Sequence, residues 1–139
     1  MISDATALEK AQDALRADHE RLHDLAGHLG SASDLPALAA ALLALRNALQ
    51  EHFRHEEDPG GLYDALGVCE PAYRERLSAL VDEHFRMLAL ARTLGEQAKT
   101  EPPASYGPLR AEAIRFADLL TDHERREHQM AADALARLG

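Results

Sequence analysis

Tryptophan is absent from these 139 residues, aromatics amount to 4%, and there is a single cysteine, Cys69. One cysteine excludes an internal disulfide and points to a reducing compartment. No stretch alternates β-branched and polar residues as strands do, while Ala, Leu, Arg and Glu dominate, so the chain reads as almost wholly helical. The start of the chain has no long apolar run. Met1 to Gln12 carries Asp4, Glu9 and Lys10, so neither a signal peptide nor a membrane span is expected. Basic charge is short: 15 Lys and Arg stand against 24 Asp and Glu, a formal charge of −9. That balance repels phosphate backbones and anionic lipid, and no local basic patch offsets it, so neither nucleic acid nor membrane is expected as a partner. A chain of this length buries enough apolar surface to fold without staples. The expectation is one domain over residues 1–139, soluble and cytoplasmic.

Three breaks divide the chain into four predicted helices, at about 4–30, 35–57, 71–100 and 107–137. The first, Gly30 to Pro36, offers Asp34 as an N-cap and Pro36 in the first turn that follows. The second, Asp58 to Pro71, reads as a loop longer than a minimal turn, either gating access to the interior or serving only as a connection. The third, Glu101 to Pro108, stops a helix by proline density. At spacings of three and four, each helix carries one apolar seam. Helix 2 has Leu38, Leu42, Leu45, Leu49, His52 and Glu56. Helix 3 has Tyr73, Leu77, Leu80, His84, Met87, Ala91 and Leu94. Helix 4 has Leu109, Ala113, Phe116, Leu120, His123, Glu127, Met130 and Ala134. Helix 1 is less regular, with Leu15, His19, Leu22, Ala26 and Leu29. Such seams pack as an all-α, antiparallel up-down-up-down four-helix bundle.

Six polar residues interrupt these seams, where a buried ionised carboxylate without a partner costs several kcal/mol. Four of them are the histidines of a repeated acid-His-x-Arg pattern: Asp18 to Arg21, Glu51 to Arg54, Glu83 to Arg86 and Asp122 to Arg125. Glu56 and Glu127 follow two of those histidines by four residues, so each pair projects from one helix face, about 6 Å apart along the axis. In an antiparallel bundle, residues at equal height lie symmetrically about the connecting loop. His19 and His52 are centred beside Pro36, His52 and His84 on Val68, and His84 and His123 between Pro103 and Ala104. All four therefore share one level. Chance would place roughly 29% of helical histidines on a two-in-seven seam, or about two of the eight present. Chance does not supply one per helix, all level, with the only two seam glutamates each following a seam histidine.

Four imidazoles and two carboxylates do not suit calcium or magnesium, and there are too few thiols for a cluster. Two nitrogens per metal with carboxylates able to bridge describe a di-iron or di-manganese centre with one position open on each metal; zinc prefers four closed ligands at a single ion. His23, His28, His55 and His128 fall one position off the seam and read as solvated, with His55 and His128 close enough to rotate in. The flanking acids and arginines read as exposed i,i+3 ion pairs, Asp18 with Arg21, Glu51 with Arg54, Glu83 with Arg86 and Asp122 with Arg125. Alternatively, some of these acids accept the far N–H of a ligand imidazole. Tyr73 reads as core, Tyr63 and Tyr106 as loop residues, and Cys69 as inert; no general base stands out.

The order His, His-x-x-x-Glu, His, His-x-x-x-Glu across four helices resembles the hemerythrin-like (HHE cation-binding) domain over about residues 4–137. The resemblance implies a non-haem di-iron centre, oxo- or hydroxo-bridged, held by His19, His52, Glu56, His84, His123 and Glu127 with both glutamates bridging; manganese and zinc are lesser candidates. It implies a small diatomic ligand (O2 or NO) or peroxide as partner, and an electron donor. The oxygen-carrying members have a second helix-3 histidine four residues from the first, where this chain has Leu80 and Leu88. The set present is more similar to bacterial hemerythrin-like domains associated with nitric oxide stress, iron–sulfur cluster repair and peroxide handling. No separate N-terminal cysteine-bearing domain is read here, which weighs against the repair role. Two functions follow from the resemblance: a redox-active di-iron protein, or a non-catalytic module that senses or stores oxygen, nitric oxide or iron.

Overall fold

The computed structural model describes residues 3–138 and contains no strand among them. Six helices follow in order: α1 (Asp4–Ala14), α2 (Arg16–Ser31), α3 (Leu35–Glu57), α4 (Leu62–Cys69), α5 (Arg74–Thr100) and α6 (Tyr106–Leu138). The helix starts are chemically marked. Ser3 accepts from the Thr6 amide, and Asp34 accepts from the Ala37 amide at 2.9 Å with Pro36 in the first turn. Short 3-10 turns at Pro71–Tyr73 and Pro103–Ser105 lead into α5 and α6.

Four long helices form the bundle. α2 packs on α3, α3 on α5, α5 on α6, and α6 back on α2, so consecutive members run antiparallel around a closed ring. Every seam residue expected on the second, third and fourth helices is buried.

Two differences from the sequence reading lie at one end. The first predicted helix is broken at Leu15, whose φ of −91° and ψ of −5° tighten the turn so that its amide bonds to the Gln12 carbonyl. The bend lets α1 lie on α4 while α2 keeps its place in the ring. The segment read as a loop between Asp58 and Pro71 holds α4, which buries Leu62, Tyr63 and Leu66. Two glycines make the reversal into α4: Gly60 sits at φ 81°, and a Cβ at Gly61 would come closer than 3.0 Å to three backbone carbonyls, those of His55, Glu56 and Asp58. Tyr63 is thus a buried helical residue, not a loop residue. Tyr106 likewise opens α6, and its hydroxyl donates to the Ala32 carbonyl.

The apolar interior divides into two clusters. The larger runs through α2, α3, α5 and α6 and includes Leu22, Leu38, Leu42, Leu45, Leu49, Phe53 and Phe116. The smaller is built by Leu8, Leu15, Leu62, Tyr63, Leu66, Tyr73, Leu80 and Met130. Each fully buried leucine contributes roughly 1.5–3 kcal/mol. Between the clusters lies a layer of buried His and Glu, in which burial alone is unfavourable.

Candidate metal centre

Four helices supply that layer: His19 from α2, His52 and Glu56 from α3, His84 from α5, and His123 and Glu127 from α6. All but His19 are at most 1% exposed; His19 is half-buried. The side chains meet as two groups that share a carboxylate. One group is Glu56, His84, His123 and Glu127, and the other is His19, His52 and Glu56. Glu56 spans both, with Oε2 at 3.4 Å from His52 Nε2 and Oε1 at 3.3 Å from His84 Nε2. Glu127 Oε2 lies 3.5 Å from His123 Nε2 and 4.0 Å from His84 Nε2. The His19 and His52 rings are edge-on at 4.9 Å, as far apart as those of His84 and His123.

Outer carboxylates set the imidazole orientation. Asp18 lies 3.1 Å from His52 Nδ1, Glu57 2.7 Å from His84 Nδ1, and Glu83 3.1 Å from His123 Nδ1. A neutral imidazole that donates Nδ1–H outward presents the Nε2 lone pair inward. Phe53 fixes the His84 ring further, stacking on it at 3.8 Å with the planes 3° apart. The repeated acids therefore act differently from the helix ion pairs expected. Asp18 and Glu83 each reach a ring on the neighbouring helix, and Glu83 takes its cation from Arg126 across the α5–α6 contact, at 2.7 Å, rather than from Arg86. Only Asp122 with Arg125 forms the expected pair among the described residues.

Electrostatics favour neutral imidazoles at His19, His52 and His84 and a charged one at His123. Burial, then the charges of His52 and His128, lower His19 to about 4. Burial also lowers His52 and His84, against Asp18 and Glu57 respectively. His123 is raised: burial opposes its charge, but the bonds to Glu127 and Glu83 outweigh it. Burial first, then the charge of Glu127, raises Glu56 well above the ordinary carboxylate range. Glu127 is driven the other way, to about 2, because hydrogen bonds from His123 and Tyr63 among others overcome burial. Two carboxylates in one buried site do not both ionise without a cation.

Orphaned polar atoms test whether the residues present fit a metal. His19 Nε2, His52 Nε2, both oxygens of Glu56 and Glu127 Oε1 are buried with no hydrogen-bond partner. Two donors held at right angles on one ion, each at roughly 2.1 Å, stand about 3.0 Å apart. His84 Nε2 and His123 Nε2 are 3.0 Å apart. The donor set, its spacing and its unmet polar atoms fit a metal.

Three contributors escape the sequence pattern. Tyr63 meets His84 Nε2 at 2.8 Å and hydrogen-bonds Glu127. Glu57 holds His84, although only its place beside Glu56 marks it. Glu124, the variable residue of the fourth acid-His-x-Arg repeat, has a partnerless buried oxygen; burial and then the charge of Glu127 raise it to about 7, the range of a general base. Of the off-seam histidines, His23 and His28 are exposed, His55 bonds Asp18 at 2.8 Å, and exposed His128 sets its ring 5.1 Å from that of His19. Burial and then Asp4 push the Cys69 thiol up, away from a reactive thiolate. A cavity of about 350 Å³ is lined by His19 and His128, and another of about 490 Å³ by Tyr63 and Glu57.

A ring of helices enclosing a buried imidazole–carboxylate layer defines a metal-binding helical bundle. Residues 10–135 match the family model of the hemerythrin HHE cation binding domain. The chain belongs to that family. Comparison with curated proteins and with solved structures returned no match. Among the described residues, no helix is long and apolar enough to cross a membrane.

Proposed function

We propose that this chain is a non-haem di-iron protein that binds or reacts with O2, NO or peroxide at a carboxylate-bridged centre. The ligands are His19, His52, Glu56, His84, His123 and Glu127, with Glu56 shared between the two ions. The observation that carries this reading is the shared layer of buried, partnerless donor atoms, with three of its four imidazoles oriented by an outer carboxylate. The mixed nitrogen and carboxylate donors suit iron or manganese better than calcium, magnesium or a single structural zinc. When bound, an iron pair supplies a one-electron couple at each ion and open positions for a small ligand.

The chain's own residues do the rest. The leucine clusters above and below the layer keep bulk water out, and Asp18, Glu57 and Glu83 hold the imidazoles in the tautomer that ligation needs. Glu124 adds a partnerless buried carboxylate oxygen beside the site.

Metal analysis with the absorption spectrum of aerobically purified protein tests the centre. About two irons per chain with oxo-to-iron charge-transfer bands support it; a single stoichiometric zinc overturns it. Stopped-flow mixing of the diferrous protein with O2, NO and peroxide then separates the functions. Turnover with product release marks an enzyme, and a stable reversible adduct marks a sensor or storage module.

A further inference from the structure

Around His84 four potential ligand atoms from three helices meet at close range. Glu57 at 2.7 Å and Glu83 at 3.1 Å hold the Nδ1 sides of His84 and His123, and the two Nε2 atoms face each other at 3.0 Å. Tyr63 Oη stands 2.8 Å from His84 Nε2 and in hydrogen-bond contact with Glu127 Oε2. A phenol has one proton and satisfies one of those two contacts. Tyr63 Oη, His84 Nε2, His123 Nε2 and Glu127 Oε2 thus crowd together in a layer where an unmet polar group is costly. The 2.8 Å and 3.0 Å separations are those of atoms sharing one ion at right angles.

We propose that Tyr63 is itself a metal ligand, its phenol oxygen joining His84, His123 and Glu127 on one ion. This rests on the metal-centre reading above. The fold places the residue deliberately. The Gly60–Gly61 reversal turns the chain back over the layer, and Leu62 and Leu66 anchor α4 in the smaller apolar cluster, so the hydroxyl is carried into the interior while the helix stays outside the ring. Without a cation, burial and the charges of Glu127 and Glu56 keep the phenol protonated. A dication reverses that local field. On binding, the O–H bond breaks as the oxygen–metal bond forms, and the proton leaves to water through the cavity that Tyr63 and Glu57 line. No oxidant or reductant is needed for the step.

The test compares full-length wild type with Tyr63→Phe, each loaded with iron and oxidised in air, by iron content, visible absorption and resonance Raman scattering. The expected wild-type signature is a phenolate-to-iron charge-transfer band with phenolate ring modes enhanced under it. In Tyr63→Phe both disappear while iron is retained and the helical circular dichroism is unchanged. Iron-loaded wild type without phenolate modes overturns the proposal and leaves the six-ligand centre standing, whether or not the variant folds. Phenolate modes that persist in Tyr63→Phe overturn it equally, by assigning them to Tyr73 or Tyr106. If neither protein takes up iron, the metal-centre reading falls and this proposal with it.

Discussion

Replacing Glu56 by glutamine is expected to stabilise the metal-free protein and to weaken the metal-loaded one. Glu56 is fully buried and both its oxygens lack partners, so the metal-free fold bears either an unmet charge or the cost of protonating the group. Its folded value lies above the ordinary 4.5, so above that pH the folded state holds a proton the unfolded chain has released. Stability of the metal-free protein therefore falls as pH rises from about 4.5 toward the raised value. Glutamine keeps the shape and removes the charge. Near neutral pH the relief is up to about 3 kcal/mol, the cost of keeping protonated at pH 7 a carboxyl whose ordinary value is 4.5. Each kcal/mol corresponds to a rise in Tm of roughly 3–4 °C for a chain of this size. With metal the order reverses, because Glu56 touches both donor groups, at 3.4 Å and 3.3 Å, and an amide is a poor substitute for a shared carboxylate. Metal present at a hundredfold its Kd stabilises wild type by about 2.7 kcal/mol, which the variant loses in large part. Urea unfolding followed by far-ultraviolet circular dichroism, run with chelator and with anaerobic Fe(II), gives all four stabilities. Glu56→Gln less stable than wild type in chelator, or iron stabilising both proteins equally, would refute the reasoning.

Substituting Glu57 by glutamine removes the carboxylate on His84 Nδ1 and is expected to lower metal affinity about 10–100-fold with the fold intact, measured by competition with a chromophoric chelator. His19 is lowered to about 4, so its unfolded form binds a proton below 6.5 that the folded form refuses, and its contribution to metal-free stability is lost as pH falls from 6.5 to about 4. His19→Asn should flatten the stability–pH profile in that window, and a slope unchanged from wild type would count against it. Gly61→Ala forces a Cβ against three carbonyls and should destabilise the protein by about 1–3 kcal/mol, seen as a lower urea midpoint, whereas Gly30→Ala, with open space around it, should not.

Four helices, their buried faces and the common level of the four histidines were legible in the chain because each follows from short-range geometry. A 3.6-residue period assigns a face, a four-residue spacing puts Glu56 beside His52 and Glu127 beside His123, and short connections force antiparallel neighbours to share heights. α4 was not legible: eight residues are too few for a period to show, and the Pro59-Gly60-Gly61 turn before them reads as loop. Nor was the choice of partners across helices. Asp18 and Glu83 sit one residue before their own histidines yet hold those of the next helix, since which side chains meet across a groove depends on helix rotation and register, not on spacing along one chain. Helix spacing alone determined that six donors share one level, while tertiary packing decided that Tyr63 closes on His84 and Glu127, because those contacts span 21 and 64 residues and exist only once α4 folds back over the bundle.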